Sequence, residues 1–309
     1  MFKKLATFGL SLSLAAGVLA GCGSSSSDTG SNASEGYEPK ELTVQFVPSQ
    51  SADTLEAKAK PLEDLLSDEL GIPVKVSVST NYNTIIEAMS SKQVDVGFLP
   101  PTAYVLAKEK GAADVILQAQ RKGLNEDGSE TDELVDFYKS IFVVKSDSGI
   151  DSVADLKGKK IAFQDVTSSA GYVWPAASLL DNDIDPLKDV QGVTVKGHDQ
   201  AIISLLNGDV DAAAVFQDAR NIVKTDYPTV FDDTKVISFT EEIPNDTVSV
   251  RSDMTDEWKK KLQDAFIAIG KSEEGHQIVR DIYTHEGYVV SDDSKFDIVR
   301  DYAEKVKTE

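Results

Sequence analysis

The sequence holds one cysteine, Cys22, in 309 residues, so no internal disulfide braces the fold and the apolar core must hold it alone. Its three histidines, His198, His276 and His285, match no metal-ligand spacing with one another or with Cys22. No nucleophile elbow, phosphate-binding P-loop or HExxH helix occurs. An enzyme is therefore unsupported, and neither metal nor cofactor is expected. Basic residues are scarce as well: 31 Lys and Arg stand against 52 Asp and Glu, for a formal charge of −21. A chain this acidic, with no basic stripe carrying interleaved aromatics, repels nucleic acid at long range. If it binds an anion, local dipoles and neutral donors must do the holding. Beyond residue 20 no apolar run is long enough to span a bilayer.

What is present begins with a leader. Lys3 and Lys4 precede an apolar stretch from Leu5 to Ala20 that closes in Leu19-Ala20-Gly21-Cys22. Residues 1–21 read as a lipoprotein signal peptide, with Cys22 as the lipidated first residue of the mature chain. The competing reading, a buried thiol inside a misread helix, fits less well because this lone cysteine stands where lipoprotein cleavage needs it. Removing the leader takes away two positive charges and leaves −23. The Gly/Ser-rich composition that follows buries nothing, so residues 22–40 are expected to form a flexible tether, with order beginning near Glu41. The folded part then sits outside the cytoplasm, held to the membrane by lipid without being embedded.

From Leu42 onward, short β-rich runs alternate with helical patterns, and the alternation restarts at Ser140. This predicts an α/β fold of two lobes. A weak internal repeat agrees: the run from Ile85 through Val94-Asp95-Val96 resembles the run from Ile202 through Val210-Asp211-Ala212. Both read as a short amphipathic helix followed by a buried strand. After Val236 come two further strands and three helical segments, expected to pack back on the first lobe. The first lobe is then discontinuous, 41–138 and 240–309, with 139–239 inserted as the second. Two crossovers form a hinge, and the cleft between the lobes is the place for a small ligand.

The most informative stretch is Asp165-Val166-Thr167-Ser168-Ser169-Ala170-Gly171-Tyr172, between a predicted strand and a predicted helix. Free backbone N–H groups and hydroxyls converge at such a helix start, which suits an oxyanion without any Lys or Arg. Plain N-capping is the commoner explanation for an isolated hydroxyl there, but three in a row exceed what a cap needs. Pro175 should distort the first turn. His198 opens a second helix in the same lobe, where a ligand donor and an ordinary exposed histidine are evenly balanced readings. Asp218 and Asp246 fall at a strand end and a crossover. A carboxylate facing an anion makes sense only if the ligand brings a proton or an ammonium group. Tyr82 and Tyr138 stand where phenols would close the cleft, although either alone is more often a packing residue.

Taken together, Val47-Pro48-Ser49, Asn81-Tyr82-Asn83-Thr84-Ile85, Val94 through Tyr104, Tyr138-Lys139-Ser140, Thr167 through Tyr172, Gly197-His198-Asp199, Asp218 and Ile243-Pro244-Asn245-Asp246 resemble the phosphate/phosphite/phosphonate ABC-transporter substrate-binding lipoprotein family. That family is a branch of the type 2 periplasmic binding protein fold. The resemblance implies an oxyanion cradle at Ser168, Ser169 and Ala170, with Tyr82, Tyr138 and His198 around it and Asp218 and Asp246 as acceptors. Two departures stand out: Ser168-Ser169-Ala170-Gly171 lacks one hydroxyl of the frequent Ser-Thr-Ser-Gly, and Pro100-Pro101 replaces amide-rich or Gly residues. The implied partners are a small phosphorus oxyanion (phosphonate or phosphite, or else phosphate) and an ABC permease, with the protein acting as a monomer. Two alternatives stay open at this stage, a membrane-tethered sensor and a binder of another small solute such as a sulfonate.

Overall fold

The computed structural model describes residues 36–307. The expected leader, the lipidation site at Cys22 and the tether up to residue 35 lie outside the described residues. In chain order the strands are β1 Leu42–Phe46, β2 Val74–Val78, β3 Val96–Leu99, β4 Ala113–Leu124, β5 Glu130–Val135, β6 Phe137–Tyr138 and β7 Ser140–Lys145, then β8 Lys160–Phe163, β9 Gln191–Thr194, β10 Ala212–Phe216, β11 Thr234–Phe239, β12 Ile243–Pro244, β13 Thr247–Arg251 and β14 Gly287–Val290. They form two mixed sheets, ordered β14-β4-β13-β3-β1-β2 and β11-β7-β10-β8-β9, with β5 paired to β4 outside the first path. A small antiparallel ribbon of β6 and β12 carries the chain between them. Asn245, fully buried, fastens this crossing: its N–H donates to Asp136 O at 2.8 Å and its Nδ2 to Val135 O at 3.1 Å.

Central strands here are apolar on both faces, as covered sheets require. In β10, Ala213 and Val215 join one apolar cluster while Ala212 and Ala214 join another on the opposite face, the two-residue period of a strand. The internal repeat corresponds to one construction used twice. The helix Tyr82–Ser90 leads into β3, which lies parallel to β1, and the helix His198–Asn207 leads into β10, which lies parallel to β8. Asp95 Oδ2 accepts the Thr43 N–H at the start of β1, and Asp211 Oδ2 accepts the Lys160 N–H at the start of β8, each at 2.8 Å. The aspartate in each repeat satisfies a backbone donor at the start of an interior strand.

Several features go beyond the sequence-based expectation. Tyr37, inside the expected tether, already belongs to the fold: its N–H donates to Asp253 O at 2.7 Å, and the Arg251 guanidinium lies 3.6 Å from its ring centre. The final helix, Asp297–Val306, packs on both lobes and not on the first alone. It buries Val299 in the first core, while Tyr302 stacks on Trp174 of the second lobe at 4.3 Å and Lys305 pairs with Asp181 at 2.5 Å. Finally, β14 lies among the closing helices and extends the first sheet, and the β4–β5 hairpin fills the stretch between the two alternating runs. No helix among the described residues is long and apolar enough to cross a membrane.

Candidate ligand-binding cleft

The strands aim their carboxyl ends at one place. Val47 and Ser49 follow β1, Pro100 follows β3, Ser168 and Ala170 follow β8, His198 follows β9, and Gln217 and Asp218 follow β10; all line one cavity of about 880 Å³. In open α/β sheets this is where ligands bind, because loops leaving the strand ends diverge and expose backbone donors. The lobes touch around the cavity. His198 N–H donates to Ser49 O at 2.8 Å, Ser51 N–H to Asp199 Oδ2 at 3.3 Å, and Thr102 N–H to Ser169 Oγ at 3.0 Å.

The Ser168 segment forms a π-helical turn, Ser169–Val173, that runs into the helix Trp174–Asp181. Pro175 supplies the reason. It has no N–H to give to the carbonyl of Gly171 four residues back, and that carbonyl instead accepts the Gln164 N–H at 3.0 Å. The expected distortion of the first turn is thus a widened one. Ser168 Oγ accepts the Gly171 N–H at 3.1 Å, while the N–H groups of Ser169 and Ala170 open the helix and have no intrahelical acceptor. Ser140, buried at the start of β7, pins the turn by donating to Ala170 O at 2.6 Å. Gly171 serves packing: a Cβ there would lie 2.1 Å from Gln164 Cγ.

His198 is buried, and its ring meets Phe216 edge to face at 4.8 Å. Burial drives its pKa down to about 3, against a smaller upward pull from Asp246, so the imidazole is neutral at physiological pH. Nδ1 accepts the Phe216 N–H in a long bond of 3.4 Å. A neutral ring that accepts at Nδ1 carries its proton at Nε2, which makes His198 a neutral donor in the cavity wall. Tyr82 and Tyr138 also line the cavity, and burial pushes both phenols far up, with the Asp246 charge adding to the effect. They keep their protons and remain donors. Tyr283, unmarked in the sequence, is likewise held protonated by burial, and its hydroxyl donates to Val47 O at 2.6 Å.

The acids are not free. Asp246 Oδ2 lies 2.6 Å from Arg121 Nη2 and 3.5 Å from His285 Nε2. Burial alone would raise the Asp246 pKa, but the Arg121 charge and then His285 more than offset it, so the carboxyl titrates below its ordinary value. Asp218 is also buried, and its Oδ1 accepts from Arg220 Nε at 3.1 Å and from Arg220 Nη2 at 2.8 Å. Ser169 does not line the cavity: its hydroxyl bonds Thr102 N and Oγ1 at 3.0 and 2.9 Å, which leaves its backbone N–H as the group for an anion. The expectation of a site without Lys or Arg is corrected. Arg121 lines the cavity, with its guanidinium carbon 5.0 Å from the centre of the Tyr138 ring. Its signal in the sequence was slight, a single Arg-Lys step in a polar run. Among the described residues no cluster of His, Cys, Asp and Glu could hold a metal ion.

The site therefore offers neutral N–H and O–H donors, a helix start and the compensated Arg121–Asp246 pair, which together suit a small tetrahedral oxyanion. Residues 44–296 match the family described as ABC transporter, phosphonate, periplasmic substrate-binding protein. The chain is similar to the phosphate-import protein PhnD of Mycolicibacterium smegmatis, 28% identical over 221 residues that span 69% of this chain and 65% of that protein. It thus covers just under two thirds of that relative's length. The phosphonates-binding periplasmic protein of Escherichia coli is 24% identical over 241 residues, 77% of this chain and 68% of that one. In fold the chain is similar to PhnD1 from Prochlorococcus marinus, solved in complex with methylphosphonate, with a TM-score of 0.74, 19% identity and coverage of 87% and 99%.

Proposed function

Because the chain belongs to the family of periplasmic substrate-binding proteins of phosphonate ABC transporters, a family of transport components and not of enzymes, we propose that it captures a small phosphorus oxyanion, phosphonate or phosphite, and delivers it to an ABC permease. The observation that carries this reading is the meeting of the Ser168–Ala170 helix start with the neutral Nε2–H of His198 and two protonated phenols in one interlobe cavity. Ser168 Oγ and the N–H groups of Ser169 and Ala170 hold the oxyanion, Tyr82, Tyr138 and His198 donate to its remaining oxygens, and Asp246, kept ionised by Arg121, accepts a ligand proton. An ionised carboxylate accepts only, so an anion lacking that proton leaves it facing an oxygen lone pair and binds less well. In this reading the lobes close over the anion and the permease draws them apart; no bond is made or broken. Cys22, outside the described residues, carries the lipid that anchors a monomeric binding domain to the cell membrane on its extracytoplasmic side, beside the importer.

Thermal unfolding of ligand-stripped protein tests the class directly. A ligand at a hundred times its Kd stabilises by about 2.7 kcal/mol, a shift of several degrees for a chain of this size. Phosphite, methylphosphonate, aminoethylphosphonate, phosphate, sulfate and an alkanesulfonate are compared. A shift with a phosphorus anion alone supports the proposal; a shift with the sulfonate alone, or with none of the six, overturns it.

A further inference from the structure

The outer half of the β4–β5 hairpin departs from the sheet that roots it. Up to Gln120, β4 is paired with β13 or β14, but from Arg121 to Leu124 its strand partner among the described residues is β5 alone. A two-stranded ribbon without a packed face is marginal by itself, so other contacts must set its position. Glu130 receives both Arg280 (2.7 and 2.8 Å) and Lys122 (3.3 Å) on the first lobe. The far end reaches the second lobe. Gln217 Nε2 donates to Leu124 O at 3.3 Å, and Gly128 sits against the Asp218 carboxylate. The tip is internally closed, with Asn125 N–H to Ser129 O at 2.9 Å and Gly128 N–H to Asn125 O at 3.0 Å, so it docks as a preformed turn. Lys122, Leu124, Glu126, Gly128 and Glu130 of this hairpin line the cavity.

We propose that this hairpin is the lid of the cleft, that Asp218 is its seat, and that Gly128 is the residue that lets it close. The idea rests on the ligand-binding reading of the cavity, and it makes Asp218 a positioning residue with no contact to the anion. Gly128 has φ +85°, and a Cβ on it would lie 2.0 Å from Asp218 Oδ2 and 2.6 Å from Asp218 Cγ. The carboxylate cannot swing aside, because Arg220 grips Oδ1 twice and is itself buried with its guanidinium 4.4 Å from the Phe231 ring centre. Asp218 also holds a left-handed backbone, φ +58°, which presents the carboxylate toward the hairpin. A glycine is thus required twice at position 128, for the turn and for the seat.

Amide hydrogen exchange on the full mature chain, free of ligand, tests the lid independently of what the cleft binds. Gly128→Ala and Gln217→Ala are compared with Gly149→Ala, which imposes the same left-handed strain (φ +70°) with no atom within 4 Å of the new Cβ. Both lid variants are expected to speed exchange across residues 121–135 at least tenfold while β1 and β3 stay protected, and Gly149→Ala to leave the hairpin unchanged. Unchanged hairpin exchange in Gly128→Ala and Gln217→Ala overturns the proposal. Where an anion of the panel binds, its dissociation rate rises at least tenfold in both lid variants with little change in association rate; a loss confined to association also overturns it. Failure of every panel anion to bind counts against the ligand reading alone, since the exchange result stands by itself.

Discussion

Arg121 Nη2 lies 2.6 Å from Asp246 Oδ2 in the cavity wall, both side chains largely buried. The pair links the foot of the β4–β5 hairpin to the second interlobe crossover and places a compensated charge beside the oxyanion cradle. Removing either partner leaves a buried charge uncompensated. Asp246→Ala and Arg121→Met are each expected to cost about 3–5 kcal/mol in urea unfolding, and the double variant clearly less than their sum. Additive losses would mean that the two charges are stabilised separately.

His198 gives the fold an acid sensitivity of known sign. The folded state holds its pKa near 3 because burial disfavours the charged ring, whereas an exposed histidine titrates at about 6.5. The unfolded chain therefore takes up a proton first as pH falls. The contribution of neutral His198 is full above about pH 6.5 and is lost progressively toward pH 3. His285 is shifted down as well, by burial first, and acts in the same direction. In His198→Gln the fall in stability between pH 6.5 and 4.5 should be shallower than in the parent; an equal slope would contradict a buried neutral ring.

Ser168 has two duties, capping the turn and facing the cavity. Ser168→Ala should cost about 0.5–2 kcal/mol of stability for the lost cap. It should also weaken anion binding by roughly 10- to 100-fold, the worth of one hydrogen bond to a charged group. Ser169→Ala, whose hydroxyl joins Thr102 across the lobes, should lower affinity less and do so through closure. Equal effects on affinity from the two variants would place both hydroxyls on the ligand.

Gly171 is the tightest point beneath the cradle. A methyl group there meets Gln164 Cβ and Cγ at 2.4 and 2.1 Å, so Gly171→Ala should destabilise by about 1–3 kcal/mol as overpacking does. Thermal unfolding measures it. A neutral result would mean that Gln164 moves freely aside.

Much of this architecture was legible in the sequence where local signals agreed with the fold. The alternating runs around Val96 and Ala212, the matched Asp95 and Asp211 steps, and the hydroxyl-rich start after Gln164 all carried a period or a composition that one structure satisfies. Tyr82, Tyr138, Ser168, Ala170, His198, Asp218 and Asp246 meet at one cavity. What the sequence hid was decided by tertiary contact. The outer half of β4, Ala-Gln-Arg-Lys-Gly-Leu, and the acidic β5 have little strand character, and they are held by Arg280, Gln217 and the sheet edge. Arg121 was invisible as a site residue for the same reason. The hydroxyl of Ser169 is engaged by Thr102, 67 positions earlier in the chain, a contact that no local pattern announces. Tyr37 looked like tether because its partners, Asp253 and Arg251, come more than two hundred positions later.

The most direct measurement is calorimetric titration of the ligand-stripped protein with methylphosphonate, phosphite, aminoethylphosphonate and phosphate, in the parent and in Ser168→Ala. One-to-one binding of a phosphorus anion to the parent, weakened roughly 10- to 100-fold by the loss of one charge-assisted bond, is the predicted result. Absence of binding by all four anions, or binding that Ser168→Ala leaves untouched, would contradict an oxyanion site at the start of this helix.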